Sequence, residues 1–114
     1  MKYKYVYVAG PISKGDTLLN IRAGIDTGAE LVKLGYAPYV PHNDFIQYMI
    51  HPEVMSYERL LEWDFDWIER CDALLRLPGE SAGSDREVAF ALSRGISVFK
   101  SVEDLESANG RSTD

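Results

Sequence analysis

The chain is short of cysteine, basic residues and long apolar runs, and each shortage excludes a class of protein. Cys71 alone cannot form an internal disulfide, which favours a reducing compartment. Twelve Lys and Arg against 18 Asp and Glu give a net charge of −6, so no basic stripe is available for a nucleic acid polymer. No run reaches the roughly 18 apolar residues of a membrane span, and the N-terminus lacks a signal-peptide core. We therefore expect a soluble, cytoplasmic protein that binds neither nucleic acid polymers nor membranes.

Histidine is also scarce, with His42 and His51 as the only two. Together with Cys71 they are too few and too scattered for a structural zinc site, so we expect no metal and no cofactor. We interpret His51, which precedes a proline, as a solvated turn residue. Two interpretations of His42 stay open: a loop residue that caps a helix, or a residue that contacts the ligand.

Strand and helix signals alternate along the 114 residues, which predicts one α/β domain with a parallel sheet. The predicted strands are residues 3–9, 36–40, 72–77 and 96–99, and the predicted helices are residues 17–34, 56–70 and 87–94. Residues 42–50 fit either a short helix or a loop. We expect a three-layer, Rossmann-like or flavodoxin-like fold over residues 1–100, with four to five strands. Residues 101–114 are predicted as a polar C-terminal tail with a disordered end.

Polar and small residues follow the predicted strands, at the edge where open parallel sheets bind their ligands. The segment 81–87 is the most informative of these, because small and hydroxyl-bearing residues stand between an apolar strand and a helical pattern. The free amides of a first helical turn and the helix dipole can hold an anion there, with Glu87 close enough to share the ligand. This suggests chemistry on a phosphorylated small molecule. The simpler alternative is a capping box, with Ser84 as the N-cap and Glu87 three residues later.

Carboxylates crowd the second long helix, but they cannot all share one face. Asp64 and Asp66 are two positions apart, roughly 200° around a helix, so only one of them can face a site. Asp64 lies between Trp63 and Phe65, and apolar neighbours raise the pKa of a carboxyl group, although a surface Asp beside core aromatics is commoner. Trp63 and Trp67 form a stripe that fits a core or dimer face better than base stacking.

Three stretches, in this order and spacing, resemble the nucleoside 2-deoxyribosyltransferase superfamily. They are Tyr7-Val8-Ala9-Gly10-Pro11-Ile12-Ser13, Asp64-Phe65-Asp66-Trp67-Ile68 before Asp72-Ala73-Leu74-Leu75, and Gly83-Ser84-Asp85-Arg86-Glu87-Val88-Ala89-Phe90-Ala91. Within the superfamily, the chain is most similar to the small 2′-deoxynucleoside 5′-monophosphate N-glycosidases and their short phage and bacterial relatives. The resemblance covers residues 3–100.

The resemblance implies three catalytic residues. Glu87, four positions after Gly83, stands where the family has its nucleophile. Asp64, eight positions before Asp72, stands where the family has its general acid/base. Tyr7, at the end of the first strand, matches the tyrosine that orients the nucleophile.

The resemblance also implies a phosphate site built from serines of the first loop and of the segment before Glu87. The substrate-binding candidates are Gly10, Ser13, Ser81, Gly83, Ser84, Arg86 and His42. The choice between Ser81 and Ser84 stays open, because this loop is one residue shorter than in the glycosidases. Arg86 is a departure from the family, and it either neutralises a phosphate or pairs with Asp85. Residues 42–44 are candidates for the edge of the base pocket.

The implied reaction is cleavage of the N-glycosidic bond of a nucleoside or deoxynucleoside 5′-monophosphate. Glu87 would trap C1′ as a covalent ester and Asp64 would protonate the departing base. Release by water is hydrolysis and release by a second base is transfer, and both stay open. Some family members complete the site with a neighbouring subunit, and the aromatic stripe adds a reason to expect a homodimer or higher homo-oligomer. The alternatives are a nucleotide-binding module without turnover, and an interaction protein that docks a partner through Trp63 and Trp67.

Overall fold

Four short parallel strands form the sheet at the centre of the protein, whose computed structural model describes residues 1–111. The strands are β1 (Tyr5–Ala9), β2 (Ala37–Tyr39), β3 (Ala73–Arg76) and β4 (Ser97–Phe99). Their order is β2-β1-β3-β4, with β1 pairing in parallel to both β2 and β3. The order reverses between β1 and β3, and this switch point is where sheets of this kind bind ligands at their carboxyl edge.

Within residues 1–111, five α-helices flank the sheet and complete the three layers. They are α1 (Thr17–Lys33), α2 (Asp44–Ile50), α3 (Tyr57–Glu69), α4 (Ala82–Ser93) and α5 (Val102–Ala108), with single 3₁₀ turns at Pro41–Asn43 and Pro52–Val54. The predicted α/β class, three-layer architecture and parallel sheet of four to five strands are confirmed, with four strands present in the described residues, and the ambiguous residues 42–50 are largely helical. No helix within residues 1–111 combines the length and the apolar composition that a membrane span requires.

Alternation along β1 divides the core into two clusters, one on each face of the sheet. Val6 and Val8 face α1 and α5, where they pack with Leu31 and Leu105. Tyr7 and Ala9, which alternate with these two valines along β1, lie on the opposite face of the sheet. The second cluster consists of Tyr7, Ala9, Ile68, Leu74 and Ala91, and it packs beneath α3 and α4.

The buried face of α1 consists of two glycines and Leu31, and not of the predicted apolar stripe. Leu18, Ile25 and Val32, which help to predict the helix, are exposed. Gly24 and Gly28 are buried instead, and their neighbours leave no room for a side chain. A Cβ at Gly24 would lie 2.4 Å from the ring of His42, and one at Gly28 would lie 2.7 Å from a methyl group of Val40. The absence of side chains at these two positions lets α1 approach the segment after β2.

The chain after residue 100, which the sequence predicts only as a polar tail, contains α5 and contributes to the core. Leu105 is fully buried, and Ser101 caps the helix by accepting a hydrogen bond from the backbone NH of Asp104. Asn109 ties the end of α5 to the segment before β1 by accepting a hydrogen bond from the NH of Tyr3 and donating one to its carbonyl. Residues 112–114, part of the predicted disordered end, lie outside the described residues.

Candidate active site

A cavity of about 610 Å³ opens at the carboxyl edge of the sheet, around the switch point between β1 and β3. This volume is within the range of roughly 300–1,000 Å³ that is typical of small-molecule sites. The loop after β1, the start of α2, one face of α3, and the loop and first turns after β3 line it. The segments that follow β1, β2 and β3 in the sequence therefore all contribute to one site.

Glu87 lies at the buried end of this cavity. Its side chain comes from the second turn of α4 and is only 7% exposed. The hydroxyl of Tyr7, from the middle of β1, donates a hydrogen bond to Oε2 of Glu87. Burial raises the pKa of Glu87 to about 8, and the nearby charge of Asp64 raises it as well, whereas the Tyr7 hydrogen bond opposes the shift. Burial also raises the pKa of Tyr7, so its hydroxyl keeps the proton that it donates.

Asp64 lines the same cavity from α3, whereas Asp66 is exposed, as their spacing on a helix requires. Burial raises the pKa of Asp64 to about 7, with a smaller contribution from the charge of Asp44. Within residues 1–111, the buried Oδ1 of Asp64 has no hydrogen-bond partner. The site therefore holds two carboxyl groups whose pKa values lie near neutral pH, and one of them has a buried oxygen without a hydrogen-bond partner in the described residues.

The N-terminus of α4 forms the wall next to Glu87. Ser81 is the N-cap, because its hydroxyl accepts a hydrogen bond of 3.0 Å from the backbone NH of Ser84. The helix therefore begins at Ala82, and both the predicted start at residue 87 and the capping-box alternative are wrong. Ser84 is 2% exposed and its hydroxyl lies 2.9 Å from that of Ser81. The amides of Ala82 and Gly83 precede the first helical hydrogen bond, and both residues line the cavity.

Arg86 stands at the rim with its guanidinium group directed away from its neighbour in sequence. It donates a hydrogen bond to the hydroxyl of Tyr57, and both residues line the cavity. Asp85 instead accepts a hydrogen bond of 3.1 Å from Arg76. The predicted alternative that Arg86 pairs with Asp85 is therefore wrong, and the guanidinium group remains at the mouth of the site.

An aromatic column packs behind the two carboxyl groups. The ring of Tyr39 stacks on Tyr7 at 5.6 Å and on Trp67 at 5.0 Å between centroids. Trp63 donates a hydrogen bond of 2.8 Å to the hydroxyl of Tyr39. Both tryptophans contact Tyr39 and neither lines the cavity, which disfavours base stacking. Trp67 is still 39% exposed, and the predicted dimer face stays a prediction.

The structure brings most of the predicted site residues together. The cavity is lined by Gly10, Ser13, Asp64, Ser81, Gly83, Ser84, Arg86 and Glu87, and Tyr7 lies behind Glu87. His42, predicted to bind substrate, does not reach the cavity. Its ring is 1% exposed and packs on Gly24 of α1, with Nε2 at 3.2 Å from the carbonyl of Pro11. Burial lowers the pKa of His42, so it is a neutral residue that supports the first loop.

Sequence reasoning missed the apolar wall of the cavity. This wall is formed by Ile12, Phe45, Tyr48, Tyr57, Leu60 and Leu61. Leu60 and Leu61 are four and three positions before Asp64, so helical periodicity already places them on its face. Phe45 and Tyr48 follow β2 in the segment that fitted either a helix or a loop, which gave no signal for their direction.

Within residues 1–111, no group of three His, Cys, Asp or Glu side chains is placed to hold a metal ion. A family model described as a domain of unknown function, DUF7768, matches residues 4–101. The match spans all four strands and every residue that lines the cavity. No curated protein matches the chain at a significant level.

Proposed function

The chain belongs to the DUF7768 family, and we propose that it cleaves the N-glycosidic bond of a nucleoside or deoxynucleoside 5′-monophosphate. One observation carries the proposal: two carboxyl groups, the buried Glu87 and the partly buried Asp64, line one cavity and have different surroundings. Glu87 is held by the hydroxyl of Tyr7, and Asp64 keeps an oxygen without a partner in residues 1–111. Cleavage of a glycosidic bond with a covalent intermediate needs such a pair, in which one carboxyl group is an oriented nucleophile and the other is an acid.

In the first step Glu87 is the nucleophile. Its carboxylate forms an ester bond with C1′ as the bond from C1′ to the base nitrogen breaks, and the electron pair of that bond leaves with the base. Because burial raises the pKa of Glu87 to about 8, the reactive species at neutral pH is the fraction in which Glu87 is the carboxylate and Asp64 holds the proton. The Tyr7 hydroxyl favours this ionised form of Glu87 and fixes the direction of its carboxylate. The positive charge that develops on the sugar lies next to this carboxylate, which stabilises it.

Asp64 is the acid of this step and the base of the next. Its raised pKa, about 7, keeps a large fraction protonated at neutral pH, so it can transfer a proton to the departing base. The resulting carboxylate then removes a proton from water as that water attacks C1′ and displaces Glu87. If a second base attacks instead, the product is a new nucleotide, so hydrolysis and base exchange share one intermediate.

The α4 end of the cavity suits the 5′-phosphate. The free amides of Ala82 and Gly83 and the hydroxyl of Ser81 stand at the positive end of the α4 dipole. Ser13 and Lys14 line the cavity from the loop after β1, and Arg86 adds a second cation at the rim. A phosphate at this end would leave the apolar wall for the base.

The test is base release from a panel of deoxynucleoside and ribonucleoside monophosphates, followed by chromatography, with and without an added acceptor base. A 2′-fluoro-arabinosyl nucleotide, whose intermediate is slow to hydrolyse, should label the peptide that contains Glu87 in a mass spectrum.

The Glu87→Gln variant should bind the nucleotides but should neither release the base nor form the labelled peptide. Asp66→Asn, on the exposed face of the same helix as Asp64, is the control for an equal loss of charge. Tight binding without any release would favour the nucleotide-binding module, and absence of binding would favour the interaction protein.

We also propose that the protein acts in the cytoplasm as a homodimer or higher homo-oligomer. Ile46, Met49 and Ile50 of α2 are exposed in the single chain, on the helix that lines the mouth of the cavity. A second copy would bury them. Sedimentation at micromolar concentration tests this, and a monomer would contradict it.

A further inference from the structure

A third carboxyl group, that of Asp44 at the start of α2, lines the cavity together with Glu87 and Asp64. We propose that Asp44 selects the base, by accepting a hydrogen bond from an exocyclic amino group of the leaving base. Bases with an amino group at that position are then preferred over bases with a carbonyl oxygen there. The inference rests on the proposed function for its substrate class, and it adds a specificity that the family match does not assign.

Two hydrogen bonds fix the orientation of Asp44. The indole NH of Trp63 donates to the hydroxyl of Tyr39 at 2.8 Å, and that hydroxyl lies 2.6 Å from Oδ2 of Asp44. An indole NH can only donate, so the Tyr39 hydroxyl accepts from Trp63 and its own proton is directed to Asp44. Burial raises the pKa of Tyr39, so this proton is retained. Asp44 is therefore an acceptor, held by a chain of donors that begins in α3.

The second oxygen of Asp44 is available to a ligand. Among the hydrogen bonds and ion pairs of residues 1–111, Oδ1 of Asp44 has no partner, although the residue lines the cavity. Its neighbours in the wall, Phe45 and Tyr48, give this part of the cavity an aromatic surface. A fixed acceptor in such a wall loses its hydration when a ligand fills the cavity, so it discriminates strongly between a donor and a second acceptor.

The position of Asp44 assigns it to the base and not to the phosphate. Its negative charge acts on Asp64, the residue that protonates the departing base. The phosphate-binding groups, the amides of Ala82 and Gly83, lie instead at the start of α4. A carboxylate would repel a phosphate, whereas it would attract the amino group of a base whose ring lies against the aromatic wall.

Matched substrates that exchange an amino group for a carbonyl oxygen test the inference directly. The pairs are dCMP with dUMP and dAMP with dIMP, and the readout is the ratio of kcat/KM for base release within each pair. We expect the wild type to prefer the amino member of at least one pair by about tenfold or more. In Asp44→Asn the amide can present a donor, so this preference should disappear or reverse.

Two further variants separate specificity from folding. Tyr39→Phe removes the donor that holds Asp44 and should reduce the preference several-fold, while Asp66→Asn removes an equal charge outside the cavity and should keep it. A ratio between two substrates does not depend on how much of a preparation is folded, so a partly folded variant still gives a valid answer.

The outcomes distinguish this inference from the proposed function. If the wild type releases base and Asp44→Asn keeps the same ratios, the inference is overturned and the proposed function stands. If the wild type releases no base from any nucleotide, the proposed function fails, and equilibrium binding of the same pairs becomes the readout. An amino preference in binding that is lost in Asp44→Asn then still supports the role of Asp44, and equal binding within both pairs overturns it.

Discussion

The two faces of the sheet differ in what they bury. On the face covered by α1 and α5, the side chains of Val6, Val8, Leu31 and Leu105 form an apolar core. On the face covered by α3 and α4, Tyr7 lies between a buried carboxyl group and an aromatic column. One strand supplies both faces, because successive residues of β1 point in opposite directions. We call the face covered by α1 and α5 the apolar face, and the face covered by α3 and α4, which carries the candidate site, the chemical face.

The chemical face is less stable than it would be with apolar residues. A buried carboxyl group loses its hydration, and the raised pKa values of Glu87 and Asp64 are the sign of that loss. The core of the apolar face contains few polar groups. One of them is the hydroxyl of Tyr36, which donates a hydrogen bond of 2.6 Å to Oε2 of the partly buried Glu106. Proteins commonly tolerate such a disadvantage at functional sites.

The largest expected effect on the chemical face comes from Asp64→Asn, which removes the proposed proton donor for the departing base. Base release from ordinary nucleotides should fall by roughly 10²–10⁴-fold, the range typical of a lost general acid. A nucleotide of an N7-methylated purine carries a positive charge on its base and leaves without protonation, so its release should fall much less. Rates for both substrates, measured on the same preparations, check this. Equal losses for the two substrates would show that Asp64 is not the acid.

On the apolar face the largest expected effect is on stability. Leu105→Ala should lower the free energy of unfolding by about 2–5 kcal/mol, as for other large-to-small changes in a core. The kcat of the folded fraction should stay as in the wild type. Ile68→Ala, one turn after Asp64 in α3, is the matched change on the other face and should lower both stability and kcat. Denaturant unfolding and active-site-normalised rates separate the two. A loss of kcat in Leu105→Ala would contradict the division between the faces.

Much of this division was predictable from the sequence, because it rests on local patterns. The alternation in β1 and the spacing of Asp64 and Asp66 both assign directions to side chains before any tertiary contact is known. The edge at which the loops meet follows from the parallel order of the strands. The grouping of Glu87 with Asp64 in one cavity agrees with these patterns, although their chemical roles remain predictions.

The features that could not be predicted depend on contacts between distant segments. His42 is turned away from the cavity because Gly24 leaves room for its ring on α1, and no pattern near His42 indicates this. The α5 helix is fixed by Asn109 against Tyr3, at the other end of the chain. The start of α4 was missed for a different reason, since Ser81 and Ser84 are equally good N-cap residues and only the structure shows which one caps.

A smaller effect should follow from removing one hydroxyl group on each face. Tyr7→Phe removes the hydrogen bond that favours the ionised form of Glu87, so the pKa of Glu87 should rise further. Base release should fall by about tenfold at neutral pH and recover in part as the pH rises. Tyr36→Phe makes the same change against Glu106 on the other face and should leave the pH profile unchanged. Equal profiles for the two variants would contradict a catalytic role for the Tyr7 contact.

Per pH unit, the smallest expected effect is a dependence of stability on pH to which the chemical face contributes through Glu87. Glu87 has a pKa of about 8 in the folded protein against an ordinary value of 4.5, so between these values the folded state holds a proton that the unfolded state has released. The unfolded state then binds fewer protons, and stability falls as the pH rises through this range, by at most about 1.4 kcal/mol per pH unit. Asp64 acts in the same direction up to about pH 7. His42 has the opposite effect below its ordinary pKa of 6.5, because burial lowers the pKa of this side chain in the folded protein.

The Glu87→Gln variant has no group that can ionise at this position, while His42 contributes equally to variant and wild type. Thermal unfolding from pH 5 to 9 should therefore show the melting temperature of the variant gaining on that of the wild type as the pH rises. Parallel curves would mean that Glu87 is ionised throughout, and the contrast between the two faces would then be one of shape and not of charge.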